Sequence, residues 1–418
     1  MYFSNEAFLL MNIPRKARAL SILAAALMLS SCASQPYQPQ IENLASVTVR
    51  AESQTMGDVR VSVAVPSPDE TEAIFDLPLY ARGIQPVWIE VENRSATELR
   101  YPLVGTDPDY VPPFEVAYTN KGGFSKAAHQ EMEQYLHSHT MPRNIAAGEV
   151  RSGFVFTQAR PGTKGVNVDL FGPKADDAYS FVFFITVPGF VADHAQVNFE
   201  ALYTSGDMVS YDLPGLRKAL VPLPCCSSDQ SGSRENDVLN LVLVGDGDDV
   251  LQALLRAGWF ERMAAERGSG STAEAAYLFG RTADAVFRTT RPETGSRSEL
   301  RLWMAPMQVD KQPVWVGDVI HLLEDSDGSI SSDPDIDDAR DFFLQDLWYS
   351  QGLAQFAWVQ GPNVVPMDQP KKDILGHEYF TDGYRIVMWP SSTPFSLLEV
   401  NYLPWDNPPK RLVPGAGR

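Results

Sequence analysis

The sequence predicts an α+β protein: an N-terminal immunoglobulin-like β-sandwich over residues 44–224, then a mixed α+β domain over 237–405. Three observations lead there. Apolar and polar residues alternate with period two in many short segments of the first half, the pattern of half-buried strands. Beyond residue 237 the apolar segments become continuous runs and stretches with helical spacing, which suits a sheet packed against helices. Between the halves, residues 225–236 run Cys-Cys-Ser-Ser-Asp-Gln-Ser-Gly-Ser-Arg-Glu-Asn, poor in apolar residues, and read as a linker.

In chain order, residues 1–31 read as an export signal. Arg15, Lys16 and Arg18 precede the apolar run Ala19–Leu29, and Leu29-Ser30-Ser31-Cys32 completes the lipobox pattern of bacterial lipoproteins. That run is too short to span a bilayer. Cys32 is therefore expected to carry fatty acyl chains such as palmitate, and the Pro/Gln-rich residues 32–43 to act as a tether. Ala33, where an aspartate signals inner-membrane retention, points to the outer membrane of a Gram-negative host, facing the periplasm or the surface.

Strand candidates in the first half are Val47–Arg50, Val59–Val65, Val87–Glu92, Ser152–Phe156, Val166–Leu170 and Tyr179–Val187, with turns at Asn93-Arg-Ser, Pro161-Gly162 and Pro188-Gly189. One helix, Phe124–Leu136, interrupts them. Ala128, Met132 and Leu136 form its apolar face, and His129, Glu133 and His137 line the neighbouring face with His139 just beyond. That spacing fits either a solvated helix side or a transition-metal chelate. In the second half, Leu239–Gly245 reads as a buried strand and Asp248–Ala257 as a helix with Val250, Leu251, Leu254 and Leu255 inward, ended by Gly258. Ala264–Glu274 is Gly/Ser-rich and looser. Strands follow at Ala276–Phe279, Leu300–Trp303, Val314–Val319, Ala354–Val359 and Arg385–Trp389, with a helix at Asp337–Leu347 and a Pro/Gly-rich tail at 406–418.

Composition narrows the function. The chain has a formal net charge of −19, and loss of the basic leader makes it more acidic, which argues against nucleic acid and against charge-driven adhesion to anionic lipid. With 44% hydrophobic residues it can bury proper cores. The implied partners are the membrane, through the lipid, and a protein or glycan of the envelope.

Several motifs carry potential chemistry. Cys225 and Cys226 are adjacent, and in an oxidising compartment a structural disulfide, unpaired thiols, and a metal or redox role all remain open. Gly245-Asp-Gly-Asp-Asp249 follows a strand like a dinucleotide loop, but it lacks a third glycine and sets carboxylates where a phosphate belongs. The acidic run holds Glu324, Asp325, Asp327, Asp333, Asp335, Asp337, Asp338 and Asp341. Asp325, Asp327, Asp333, Asp335 and Asp337 are candidate oxygen ligands for calcium, although the spacing is not that of an EF-hand. Asp333 and Asp335 equally fit a helix cap before Ile336, and the run also offers a catalytic carboxylate.

Asn240-Leu-Val-Leu-Val-Gly, Ala257-Gly-Trp, Tyr277-Leu-Phe-Gly-Arg, Arg301-Leu-Trp, Pro313-Val-Trp-Val-Gly, Asp333-Pro-Asp-Ile-Asp-Asp-Ala-Arg-Asp and Tyr379-Phe-Thr-Asp-Gly occur in that order. Together they resemble the LssY C-terminal domain over about 237–390. The resemblance implies an association with secretion loci and often with a PAP2-type membrane phosphatase, whose segment is not found here, so phosphatase activity does not carry over. Relatives carry paired histidines where this chain has Ser298-Glu299 and Ser331-Ser332. The resemblance therefore implies a site depleted of imidazoles, with Arg340 paired to a nearby carboxylate.

Two functions follow as expectations. The first is a lipid-anchored binding or scaffold protein, with Trp303, Trp315, Trp348, Trp358 and Trp389 either in the core or on a recognition surface. The second is a metal-assisted hydrolase of envelope material, using the carboxylates with His321 or His377 as acid–base partner. It requires one of those histidines to share a cleft with Asp333, Asp335 or Asp337.

Overall fold

The structure, a computed structural model, describes residues 35–408 apart from 108, 175–176, 267–275, 292–295, 325–329, 363 and 375. It is a strand-rich α+β fold. In the first half, strands Glu52–Met56, Val59–Ala64, Ile84–Asn93 and Val150–Gln158 form one antiparallel sheet in that order. Asn144–Ile145, Leu99–Arg100, Thr163–Phe171 and Ala178–Thr186 form a second. Val61, Val63, Ile89 and Val91 of the first sheet share one core with Val166, Val168, Phe181 and Phe183 of the second.

The first sheet is buried on its other face too. There Trp88, Phe154 and Phe156 pack on Phe75, Val116, Met132 and Leu136. These belong to helices Pro68–Phe75, Pro113–Thr119 and Lys126–Ser138, so three helices stand where the sequence suggested one. The physical reason is visible in Ile84-Gln-Pro-Val-Trp-Ile, where consecutive residues are buried, the signature of a strand covered on both sides. Helix Pro68–Phe75 is set by a Ser67/Glu70 capping box and Pro at its start.

Two further expectations need correction. Val47–Arg50 is not a strand: Ala45–Thr48 is a single helical turn that buries Val47. The tether is docked from Gln35 onward rather than loose. The Gln35 N–H donates to the Gly123 carbonyl at 2.9 Å, and the buried Tyr37 ring meets Phe124 and Tyr135 edge-on.

The second half is built on a ten-stranded mixed sheet. Its main order is Phe260–Glu261, Ala285–Arg291, Ser296–Val309, Gln312–Glu324, Leu241–Val244, Tyr384–Pro390, Leu353–Gln360 and Asn401–Leu403. Val209–Tyr211 adds beside Ser296–Val309, and Ile330–Ser332 beside Gln312–Glu324. Leu241–Val244 and Tyr384–Pro390 run parallel at the centre. Helices Gly247–Arg256 and Ile336–Tyr349 cover one face, where Leu254, Phe343 and Leu347 meet Leu241, Leu243 and Met388. Helix Leu213–Leu220 covers the other, with Leu216 and Leu220 against Val242, Trp303, Val316 and Val387. Alternate residues of Leu-Val-Leu-Val thus enter two different cores, which explains that continuous apolar run.

Residues 225–236, expected as a linker, are structured. Cys226–Ser228 pairs with Glu235–Val238 and with Tyr277–Leu278 in a small sheet. The chain's entry into this half is fixed by the buried Arg385, whose guanidinium donates to the carbonyls of Leu220 and Leu239 at 2.9 Å and also to Leu223 and Pro224. The halves meet at Glu261, which accepts from the Thr163 N–H at 2.9 Å and pairs with His194 Nε2 at 2.8 Å. A buried Arg262–Asp193 pair at 2.9 Å stands beside it. Gly317 lies opposite Leu302 and Leu241, and a Cβ there would collide with the Arg301 carbonyl and the Leu302 side chain. Gly317→Ala is therefore expected to cost about 1–3 kcal/mol by overpacking, seen as a lower urea midpoint, whereas Ala at the unobstructed Gly247 should leave it nearly unchanged.

Candidate functional site

The long hairpin of Ser296–Val309 and Gln312–Glu324 places Ser298 opposite His321. On the other side of the second strand, Ile330–Ser332 pairs in turn, with Leu322 opposite Ser332. The Asp333 N–H then donates to the His321 carbonyl at 2.9 Å. Ser298, His321 and Asp333 therefore stand side by side across three neighbouring segments. Ser298 Oγ and His321 Nδ1 share a hydrogen bond of 3.0 Å. Helix Ile336–Tyr349 begins immediately afterwards and turns Asp338, Asp341, Phe342 and Gln345 to one side by i, i+3, i+4, i+7 spacing. These four close a cleft of 370 Å³ with His321 and Asp333.

The helix is held by its own carboxylates. Asp335 caps it, accepting from the Asp337 N–H at 3.2 Å, and Asp333 accepts from the Asp335 N–H at 3.0 Å. Asp337 turns away from the cleft into the interior. It accepts from Thr381 Oγ1 and from the Asp382 N–H, both at 2.8 Å, and from Arg340 at 3.1 Å. Arg340, 2% exposed, donates as well to Asp382 and the Tyr384 carbonyl at 2.8 Å and to Asp341 at 3.0 Å. Its guanidinium lies over the Trp358 ring, 4.7 Å from the centroid. Burial pushes the carboxyl groups of Asp337 and Asp341 above their ordinary range despite Arg340.

A second buried guanidinium organises the hairpin. Arg301 has no exposed surface and donates at 2.7 Å to both Asp318 and Asp237. Burial pushes the Asp318 carboxyl up to about 7 against the pull of Arg301, helped by the nearby charges of Asp237 and Glu299. Its Oδ2 has no hydrogen-bond partner among the described residues, so a retained proton suits it.

The expected lipidation site Cys32 and the candidate metal ligands Asp325 and Asp327 lie outside the described residues. Asp333 faces the cleft, Asp335 caps the helix and Asp337 is locked on Arg340, so these three aspartates do not converge. Cys225 and Cys226 are joined as a vicinal disulfide. With Glu235 they are the one group of three Cys, His, Asp or Glu among the described residues whose ligand atoms lie close enough to share an ion, and the disulfide occupies both sulfurs. His129 pairs with Glu133 at 3.5 Å, His139 Nδ1 donates to the Tyr135 carbonyl at 2.8 Å, and His137 stands apart on the exposed side. His377 pairs with Asp373 at 3.2 Å and does not line the cleft. Trp303 and Trp315 are core residues whose indoles donate to the Arg281 and Gly245 carbonyls.

Sequence reasoning missed Asp318, Asp237 and Asp382 as ion-pair partners. A signal was present: Arg301 and Asp318 interrupt the apolar strands Leu-Arg-Leu-Trp and Val-Gly-Asp-Val, and a charge inside a two-sided apolar strand needs a facing partner.

A mixed sheet with a long bent hairpin, clamped by two buried arginines and opening an acidic cleft beside one histidine, defines the class of this half: an α+β envelope for a polar site. Residues 223–384 match the model of the family described as LssY C-terminus, and that stretch is similar to domains of this family. Its motifs converge in space. The Asp333–Asp341 and Tyr379–Gly383 motifs meet through Asp337, Thr381, Asp382 and Arg340, while the Arg301 motif meets Asp237 and Asp318. Ser298 and Ser331, two of the positions where relatives are expected to carry histidine, sit on the strands flanking the one that bears His321. No curated protein matches the chain. No helix among the described residues is long and apolar enough to cross a membrane.

Two predictions follow. Arg301→Met strands Asp318 in the interior and is expected to cost about 3–5 kcal/mol in denaturant unfolding, with much of it regained in Arg301→Met/Asp318→Leu. The Asp318 proton also gives a pH signature. An unfolded-chain aspartate titrates near pH ~3.9. The folded state thus holds the extra proton from there to about 7, and stability from this group is present at low pH and lost as pH rises through that window. Asp318→Asn is expected to flatten the fall in melting temperature between pH 5 and 8.

Proposed function

We propose that the protein is a lipid-anchored binding or scaffold component of the outer membrane, associated with secretion, whose immunoglobulin-like sandwich and LssY C-terminal domain face the envelope space. Cys32 carries the lipid. The acidic cleft around His321 is the ligand site, and its ligand is the basic side chain of a protein partner. One observation carries this choice: Asp333, Asp338 and Asp341 surround Phe342 in a 370 Å³ cleft without their oxygens converging closely enough to share a single ion. Spread carboxylates over an aromatic floor match a guanidinium or ammonium with its aliphatic stem better than they match a bare cation.

The metal-assisted hydrolase remains as a second reading because His321 and Asp333 do share this cleft, the juxtaposition it requires. In that reading His321 is the acid–base group and Asp333 a metal ligand. Carboxylate oxygens as the ligands favour calcium or manganese over zinc.

The test is titration of an oligo-arginine peptide onto the mature protein by calorimetry at two salt concentrations. Affinity is expected to fall with salt and about tenfold, or 1.4 kcal/mol, in Asp333→Asn/Asp338→Asn. Binding indifferent to both changes would sink the basic-ligand proposal. Thermal unfolding with zinc, manganese or calcium forms the other arm. A metal at about 100 times its Kd adds about 2.7 kcal/mol, and a melting shift of that kind, lost in Asp333→Asn but kept in His321→Ala, would move the assignment to the hydrolase.

A further inference from the structure

Helix Pro113–Thr119 is apolar on two sides. Val116 and Ala117 turn inward to the helical-layer core. Phe114 and Tyr118 turn outward and remain 66% and 54% exposed. They stack on one another with ring centroids 6.4 Å apart. Lys121 lays its ammonium 3.4 Å above the Tyr118 ring.

The position of the pair is informative. Gln35 is bonded to Gly123, in the loop that leaves this helix, and Tyr37 is wedged against Phe124 and Tyr135. Gln35, three residues after Cys32, is therefore held at the loop that follows the Phe114–Lys121 segment. Two residues separate Gln35 from Cys32, a reach of roughly 10 Å at full extension. A protein anchored by Cys32 on so short a lead cannot stand off from its bilayer.

We infer that the Phe114–Tyr118–Lys121 face is a membrane-docking surface, seated in the headgroup region of the bilayer that holds the Cys32 acyl chains. Tyr118 and Phe114 bring apolar rings to the interface, with the phenol hydroxyl left among water and headgroups. Lys121 keeps its ammonium at headgroup level, where it meets lipid phosphates. The short lead and the ring pair together orient both modules on the membrane rather than leaving them on a swinging tether. This rests on the acylation of Cys32 proposed above.

The experiment uses the full acylated chain in vesicles of phosphatidylethanolamine and phosphatidylglycerol. A nitroxide is placed at Thr119→Cys, beside the ring pair, and in a separate sample at Leu398→Cys, a 96% exposed site in the other half. The disulfide-bonded Cys225 and Cys226 do not take the label. Collision with oxygen is expected to exceed collision with an aqueous nickel chelate at residue 119, with the reverse at 398. Phe114→Ser/Tyr118→Ser is expected to return the 119 label to water, while vesicle sedimentation, the mass of the acylated N-terminal peptide and the melting temperature stay unchanged. A label at 119 as aqueous as that at 398, on acylated and vesicle-bound protein, overturns the proposal. So does a label that is aqueous on pure vesicles and shielded only in native membranes, which would give the face to a protein partner. An N-terminal peptide without acyl mass, and a chain left in the supernatant, would instead remove the anchor and with it the docking surface.

Discussion

A guanidinium withdrawn from water costs several kcal/mol unless carboxylates surround it. Arg301 meets that demand through Asp318 and Asp237, and much of the second half depends on the result. Asp318 faces Arg301 across the long hairpin, so the pair fixes the register of both strands. A slip of one residue would turn Arg301 into the opposite core and leave both carboxylates unmatched. The same register sets Ser298 beside His321 and carries His321 to the cleft. Arg340 does the equivalent work for the helix, tying Asp337 to the Thr381–Asp382 turn and so fixing which helical residues reach the cleft wall.

The two networks also explain why the described carboxylates of the acidic run do not behave as one group. Asp335 serves a helix terminus, Asp337 serves Arg340, and Asp341 divides its charge between Arg340 and the cleft. Proximity in sequence delivered these side chains to one helix end, and the helix then distributed them around its axis. The cleft takes its charge from Asp338 and Asp341, three residues apart on the helix, and from Asp333 ahead of it.

Legibility differed by element. Thr163–Phe171 and Ala178–Thr186 were plain in the sequence because one face of each is wet, and the alternation survives. Ile84–Asn93 was recognisable as a strand, but its two-sided burial announced a helical layer that the period-two pattern does not describe. Val47–Arg50 had strand alternation over four residues, too few to outweigh a local helical turn. The helix near Ile336 and the Asp335 cap were legible because capping is local chemistry. The separation of Asp335 and Asp337 from Asp333 was not, since it depends on Asp382 and Thr381, more than forty residues away. The hairpin of Cys226–Ser228 and Glu235–Val238 was hidden for a similar reason: most of its side chains are polar, and its pairing partner at Tyr277–Leu278 is distant.

Arg385 bears on how such a domain can travel between genes. Its guanidinium gathers carbonyls from Leu220, Leu223, Pro224 and Leu239, and it lies just past Tyr384, where the family match ends. The strand that carries it is also the parallel neighbour of Leu241–Val244 at the centre of the sheet. A copy excised at the limits of sequence similarity would lose this strand and open the middle of its own sheet. The stretch visible in the sequence is smaller than the ten-stranded sheet it belongs to, and a piece that keeps that sheet whole runs from before Val209 to beyond Leu403.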